Sequence, residues 1–267
     1  MANCEKMYMQ KQHAQPSRTT NNAPCSICGY DFDGVKGAIG AGHAKQPCEL
    51  IIDIGANQGW WMLPPTSRCW RVLSFEPVLD NVHQLRLNAF LNGFGPERLG
   101  IVHAAVSNAT GWADIFSPLD RADNAALTRA SAGRISNQVS TERTRTLRLD
   151  DYFGRADAAL WPSVRFIKID TQGHELPALQ GLGALLGAPP YPDVQVELDE
   201  ALQRAQGHTT EEVHAFMRAH CYAAWCVAKS GSLVRHQNGR SGACHVGGYN
   251  QDDVLFRHRG KGACAAR

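Results

Sequence analysis

The chain has 267 residues, 43% of them hydrophobic, and its 27 Lys and Arg against 25 Asp and Glu give a formal net charge of +2 at pH 7. That length can bury a sizeable core and fits one large α/β domain with appendages better than two equal domains. A charge this close to zero gives no global reason to expect a nucleic-acid or membrane-surface partner, and no run approaches the roughly 18 apolar residues that a membrane span requires.

Residues 1–45 read as a flexible extension. The first 24 are rich in Gln, Asn, Thr and Lys and contain no apolar stretch that could be a signal-peptide core, which predicts a soluble, cytoplasmic protein. Cys25 and Cys28 then stand at CxxC spacing, followed by His43 and Cys48. Such a set can hold zinc, form a redox pair, or simply supply small buried thiols in an ordinary loop, and its spacing matches no standard finger. Nine cysteines, an odd number scattered over a chain too long to need staples, predict reduced thiols in a cytosol-like compartment.

From residue 46 the texture changes. Ile51, Ile52 and Ile54 form a short β-branched run of the kind buried on both faces of a sheet, and it ends at a Gly/Asn/Gly turn. Asp53 falls at the carboxyl end of that strand, the edge where open α/β sheets bind ligands. Gly55 and Gly59 permit a backbone on which a ligand can lie. A dinucleotide fingerprint would need glycine where Asn57 and Trp60 stand, so NAD and FAD are disfavoured. The next strand, Arg71 to Phe75, delivers Glu76, 23 residues after Asp53, close to the roughly 20 at which an acid meets ribose hydroxyls. S-adenosylmethionine, with an adenosine but no phosphate, satisfies these conditions.

Trp60 to Met62 can start a helix that Pro64 and Pro65 end at once, with the two indoles packed in the core or one walling a cleft. Asp80 is placed to cap a helix to about Asn92 whose Val82, Leu85 and Phe90 face the sheet. Ile101 to Ala105 predicts a third strand, followed by Ser107 and Asn108. Residues 117–146 lack a hydrophobic period and carry scattered arginines, which predicts a substrate-side lid or a solvated insertion. LRLDDYF leads from an edge strand into a short helix capped by Asp150 or Asp151. Phe166 to Ile169 is again an apolar strand, delivering Asp170 to the same edge as Asp53. His174 and Glu175 open a helix whose apolar face holds Leu176, Leu179, Leu182 and Leu186. A carboxylate there can take a proton from an alcohol or hold a ligand ammonium, and an imidazole titrates near neutral pH; Asp170, His174 and Glu175 are therefore the catalytic candidates. A fifth strand, Val194 to Glu197, puts Glu197 at the same edge. Thr209 or Thr210 caps a further helix, a hairpin flanks Gly231, and Asp253 to His258 forms a last strand. From Lys229 onward seven Lys and Arg face two Asp, and 261–267 reads as a solvated basic tail.

Five ordered blocks, DIGANQG (53–59), FEP (75–77), AAVSNATG (104–111), FIKIDTQGHE (166–175) and VELDE (196–200), together resemble the FkbM-type family of S-adenosylmethionine-dependent methyltransferases over roughly 49–200. The resemblance implies a Rossmann-like class I methyltransferase fold for residues 46–260, a seven-stranded, mostly parallel sheet with an antiparallel C-terminal strand. It also implies O-methylation of a hydroxyl on a small molecule or carbohydrate, with no metal required. By the same resemblance Asp53, Gly55, Asn57, Gly59, Glu76, Ser107 and Asp170 hold the cofactor, Ser107 beside the adenine. The family more often has an acid where Gln172 stands and a small residue where His174 stands, which makes His174 a specificity feature or an acquired base. RNA ribose, a protein side chain, or a non-catalytic module that keeps the fold remain alternatives. A membrane partner is not expected and a nucleic acid is disfavoured.

Overall fold

The computed structural model describes residues 49–67, 70–118, 125–133, 138–155, 159–227, 233–235 and 251–260; Cys25, Cys28, His43, Cys48 and the basic tail lie outside them. The chain opens with β1 (Leu50–Ile54), α1 (Leu63–Ser67), β2 (Arg71–Glu76), α2 (Leu79–Leu91) and β3 (Leu99–His103). Then come β4 (Ala105–Val106), β5 (Gly111–Pro118), α3 (Arg129–Ala132), β6 (Val139–Leu147) and α4 (Leu149–Arg155). The second half contains β7 (Val164–Ile169), α5 (Glu175–Gln180), α6 (Gly183–Leu186), β8 (Asp193–Asp199), α7 (Glu200–Ala205), α8 (Thr210–Ala219), β9 (Tyr222–Val227), β10 (Leu233–Arg235) and β11 (Gln251–His258).

The main sheet has the order β10-β9-β11-β8-β7-β1-β2-β3. Strands β8, β7, β1, β2 and β3 pair in parallel, and β11 runs antiparallel to both β8 and β9. Strand β9 therefore points along the parallel set, and β10 adds an eighth strand at the edge. This is the expected α/β architecture with its reversed C-terminal strand. Strand β1 is buried at every position because both faces are covered. Ile51, Val72, Leu85 and Phe166 pack on one face; Ile52, Ile54, Phe75, Leu179 and Met217 pack on the other. Chain order reverses across β1, so its carboxyl end is the switch point where an α/β sheet opens a crevice.

Several expectations are corrected. Pro64 and Pro65 do not end a helix but lie in the first turn of α1, where no backbone donor is needed. Asp80 lies inside the first turn of α2, behind the N-cap residue Val78, and Phe90 is 79% exposed while Ala89 takes the inward position. The third strand ends at His103, and Ala105 belongs to a second, three-stranded sheet of order β4-β6-β5. That small sheet takes in the two ends of the segment read as a lid or insertion, residues 117–118 in β5 and 139–146 in β6, since β5 and β6 pair from Gly111 to Pro118. Asp150 caps no helix of its own: its carboxylate accepts from the backbone N–H groups of Ala184 and Leu185 at the start of α6. Thr209 does cap α8, through Glu212 N, and Asp199 caps α7 in the same way. Cys221 and Cys226 are disulfide-bonded, against the expectation of reduced thiols. Five residues of extended chain separate them by about 16 Å, beyond the roughly 7 Å that a disulfide spans, so they are not bonded to each other. The ground for a cytosol-like compartment is removed by these bonds. No described helix is long and apolar enough to cross a membrane.

Candidate active site

The loop after β1 is pinned to β2. Gly55 N and Ala56 N both donate to Phe75 O, and Gly59 N donates to Ala56 O. Asn57 N donates to Glu76 Oε2 at 2.7 Å and Gln58 N to Asn57 Oδ1 at 2.7 Å. Every backbone N–H from Gly55 to Gly59 is thus engaged inside the protein, which leaves no nest for a phosphate. The glycines themselves answer to the chain's own packing. At φ +80° a Cβ on Gly55 would lie 1.8 Å from Asp170 O, and at φ +95° one on Gly59 would lie 2.5 Å from Leu85 Cδ1.

Two cavities meet at Gly55 and Asp170. The first is lined by Glu76, Asn81, Val106, Leu127 and His174 among others. The second, of about 270 Å³, is lined by Asn57, Trp60, Trp61, Lys168, Glu197 and Asp253. Glu76 is buried at the back of the first cavity, and its Oε1 accepts from Val78 N at 3.0 Å and Asn81 Nδ2 at 3.2 Å. With Asn57 N, three of its roughly four lone-pair sites are used, leaving one for a ligand hydroxyl. Burial pushes its carboxyl up to about 7 despite these bonds.

Asp53 is fully buried and neither carboxylate oxygen has a hydrogen-bond partner. Its cationic neighbour is Lys168, whose Nζ lies 3.8 Å from Asp53 Oδ1 and 3.1 Å from Asp170 Oδ2. Burial lifts Asp53 to about 6, with Lys168 opposing and Asp170 adding to the shift. Burial also acts to raise Asp170, but Lys168 and the hydrogen bonds from Glu197 and Gln172 hold it below the usual carboxylate range. The Lys168 ammonium stands 5.8 Å above the Trp61 ring, which itself stacks on Phe166 at 5.7 Å; Trp60 beside it is 57% exposed.

The three catalytic candidates are not equivalent. Asp170 lines both cavities. His174 lines only the first, held by Gln206 Oε1 and Ser107 Oγ, each at 3.0 Å. The glutamine oxygen can only accept, so Nδ1 carries the proton and Nε2 accepts from the serine hydroxyl; burial further lowers the imidazole pKa. Glu175 lines neither cavity. Its carboxylate accepts from Thr171 N, Thr171 Oγ1, Gly173 N and Gln203 Nε2, clasping the turn that follows β7, while burial pushes it to about 7. Of the predicted cofactor residues, Gly55, Glu76 and Asp170 line the first cavity and Asn57 the second, whereas Asp53, Gly59 and Ser107 support the walls from behind. Lys168 was missed because it interrupts an apolar strand, and Asn81 because nothing in α2 distinguishes it. Among the described residues no cluster of His, Cys, Asp or Glu could hold a metal ion.

A sequence profile described as "Methyltransferase FkbM domain" matches residues 53–223, more than half of the chain. The chain belongs to the FkbM methyltransferase family. Members of this family depend on S-adenosylmethionine, and the residues present fit that cofactor. Glu76 keeps one acceptor site at the back of the first cavity, no phosphate nest accompanies it, and the buried Asp53 carboxylate favours a cationic ligand nearby. Among solved structures the FkbM methyltransferase of Methylobacillus flagellatus KT is 17% identical with a TM-score of 0.45, over 79% of this chain and 44% of that one. This FkbM chain therefore spans less than half of that protein's length. The precorrin-6y C5,15-methyltransferase of Geobacter metallireducens GS-15 is 9% identical with a TM-score of 0.42, over 80% of this chain and 82% of that one. No curated protein matches in sequence.

Proposed function

We propose that this FkbM-family chain is an O-methyltransferase that methylates a hydroxyl of a small molecule or carbohydrate. The observation that carries this is the position of Asp170, the carboxylate shared by the cofactor-side and acceptor-side cavities. S-adenosylmethionine, when bound, supplies a methyl group on a sulfonium for in-line displacement. Glu76 accepts from the ribose and Gly55 lets the two cavities touch. Asp170 accepts the proton of the acceptor hydroxyl, an assistance worth about 10²–10⁴ in rate. A cavity of about 270 Å³, near the lower end of ligand pockets, suits a compact acceptor. The exposed Trp60 indole and the polar floor of Lys168, Gln195 and Glu197 suit a ring that carries hydroxyls.

The test pairs calorimetric titration with transfer of an isotopically labelled methyl group to a panel of hydroxylated acceptors. Asp170→Asn is expected to lose turnover by at least about 10²-fold while remaining folded and still able to bind S-adenosylmethionine. Glu76→Ala is expected to lose cofactor affinity. Undiminished methyl transfer by Asp170→Asn would remove Asp170 as the base.

A further inference from the structure

The sheet sets a second carboxyl beside Asp170. Strands β7 and β8 pair in parallel with Ile169 against Val196, so Asp170 and Glu197 are the next neighbours at the carboxyl edge. Antiparallel pairing of β8 with β11 places Asp253 opposite Glu197. One step back on the same face, Lys168 lies between Asp53 and Gln195. Lys168 thus stands beside Asp53 and Asp170, while Glu197 lies between Asp170 and Asp253 in the sheet. Like charges on facing strand positions repel, and holding a proton on one of them relieves that repulsion.

The geometry says where that proton sits. Asp170 and Glu197 stand at adjacent edge positions and share one donor, Gln172 Nε2; two carboxyl groups set this close can bond to each other only with a proton between them. Lys168 Nζ sits 3.1 Å from Asp170 Oδ2, which localises the negative charge on Asp170 and leaves the proton on Glu197. Gln172 Nε2 spans the pair, 2.8 Å from Asp170 Oδ1 and 3.4 Å from Glu197 Oε2. Lys168, Gln172 and Glu197 together fill three of the roughly four lone-pair sites of the Asp170 carboxylate.

We propose that Glu197 is a positioning residue for methyl transfer: as a neutral acid it donates to Asp170 and, with Lys168 and Gln172, leaves that carboxylate one acceptor site for the substrate hydroxyl. Burial first, then the charges of Asp170 and Asp253, push Glu197 up to about 10, with Lys168 opposing, so it stays protonated at neutral pH. In the transfer, the acceptor oxygen forms the new C–O bond, the C–S bonding pair remains on sulfur as a neutral thioether, and the hydroxyl proton passes to Asp170. The carboxyl pair then holds two protons, and one returns to water. The role of Glu197 rests on Asp170 acting as the base.

One arm of the test needs no acceptor. Isotope-edited infrared spectra of the full chain at pH 8.5, above the ionisation of Asp53, Glu76 and Glu175 and below that of Glu197, should show a carboxylic-acid C=O band that is absent in Glu197→Gln. In the turnover arm, Glu197→Gln, whose amide still donates, should keep a higher kcat at pH 7 than Glu197→Ala. Glu197→Ala should lose about 10- to 100-fold in kcat with cofactor affinity unchanged, and the alkaline fall of wild-type kcat should be missing from Glu197→Gln. A missing acid band with an inactive Asp170→Asn overturns the role of Glu197 alone. A Glu197→Gln variant as impaired as Glu197→Ala also overturns it, since an ionised Glu197 would then be required. Persistent turnover by Asp170→Asn, with the band present, removes the positioning role together with the base it serves.

Discussion

Gly55 is constrained by the protein before any ligand arrives. Its φ of +80° and the 1.8 Å approach of an added Cβ to Asp170 O mean that Gly55→Ala should cost about 3 kcal/mol or more, read as a lowered urea midpoint. Glu175 answers to the same logic. Its carboxylate receives four hydrogen bonds from Thr171, Gly173 and Gln203, so Glu175→Ala should destabilise by about 2–4 kcal/mol while the folded fraction binds cofactor normally. Loss of cofactor binding at unchanged stability would instead place Glu175 in the site. Glu76 ends β2 and Asp170 follows β7, so both reach the crevice edge that short apolar strands predict, whereas Asp53 lies one residue inside β1 and lines neither cavity. Spacing could not reveal that Glu175 turns back into its own loop, or that His174 is committed to Ser107 and Gln206. Those outcomes depend on which way a side chain leaves a turn, which a one-dimensional pattern does not encode.

Elements show where periodicity succeeds and where it fails. Strands β1 and β2 were readable because their largely apolar runs are buried on both faces. Strand β6 was not, because its alternation is written in threonine and arginine: Thr144 and Thr146 point inward while Arg143 and Arg145 are exposed. Arg143 lies over the Trp112 ring at 5.7 Å, so it serves the small sheet's own outer face. The prolines of α1 were misread because the same residue that breaks a helix interior is welcome in its first turn. Asp150 was read as a cap of its own helix, whereas it caps α6 across a tertiary contact. Asp150→Ala should therefore cost about 1 kcal/mol, a small but resolvable drop in melting temperature, although α4 keeps Asp151 in its first turn.

For the whole molecule, buried acids dictate the response to pH. Asp53, Glu76 and Glu175 are raised to about 6, 7 and 7 from ordinary values of 3.8, 4.5 and 4.5. The folded state thus keeps protons that the unfolded chain has already released, and stability falls as pH rises from about 4 through 7, by up to about 1.4 kcal/mol per pH unit for each group. The cofactor-free protein should melt at a lower temperature at pH 8 than at pH 5; the opposite trend would show that these carboxyls are ionised when folded. Binding of the cationic S-adenosylmethionine should tighten between pH 5.5 and 8 as Asp53 ionises, and binding of S-adenosylhomocysteine, which lacks the sulfonium charge, should change less. The disulfides at Cys221 and Cys226 consume four of the nine cysteines, so unreduced protein in denaturant should titrate at most five thiols. Trp60 has one more consequence. Its indole is 57% exposed and lines the cavity of about 270 Å³, so the protein carries a fluorophore at its own doorway. A compound that settles there should shift the emission of the wild type more than that of Trp60→Phe, which keeps Trp61 in the same cavity, and this turns an acceptor search into an optical titration requiring neither catalysis nor a labelled methyl group.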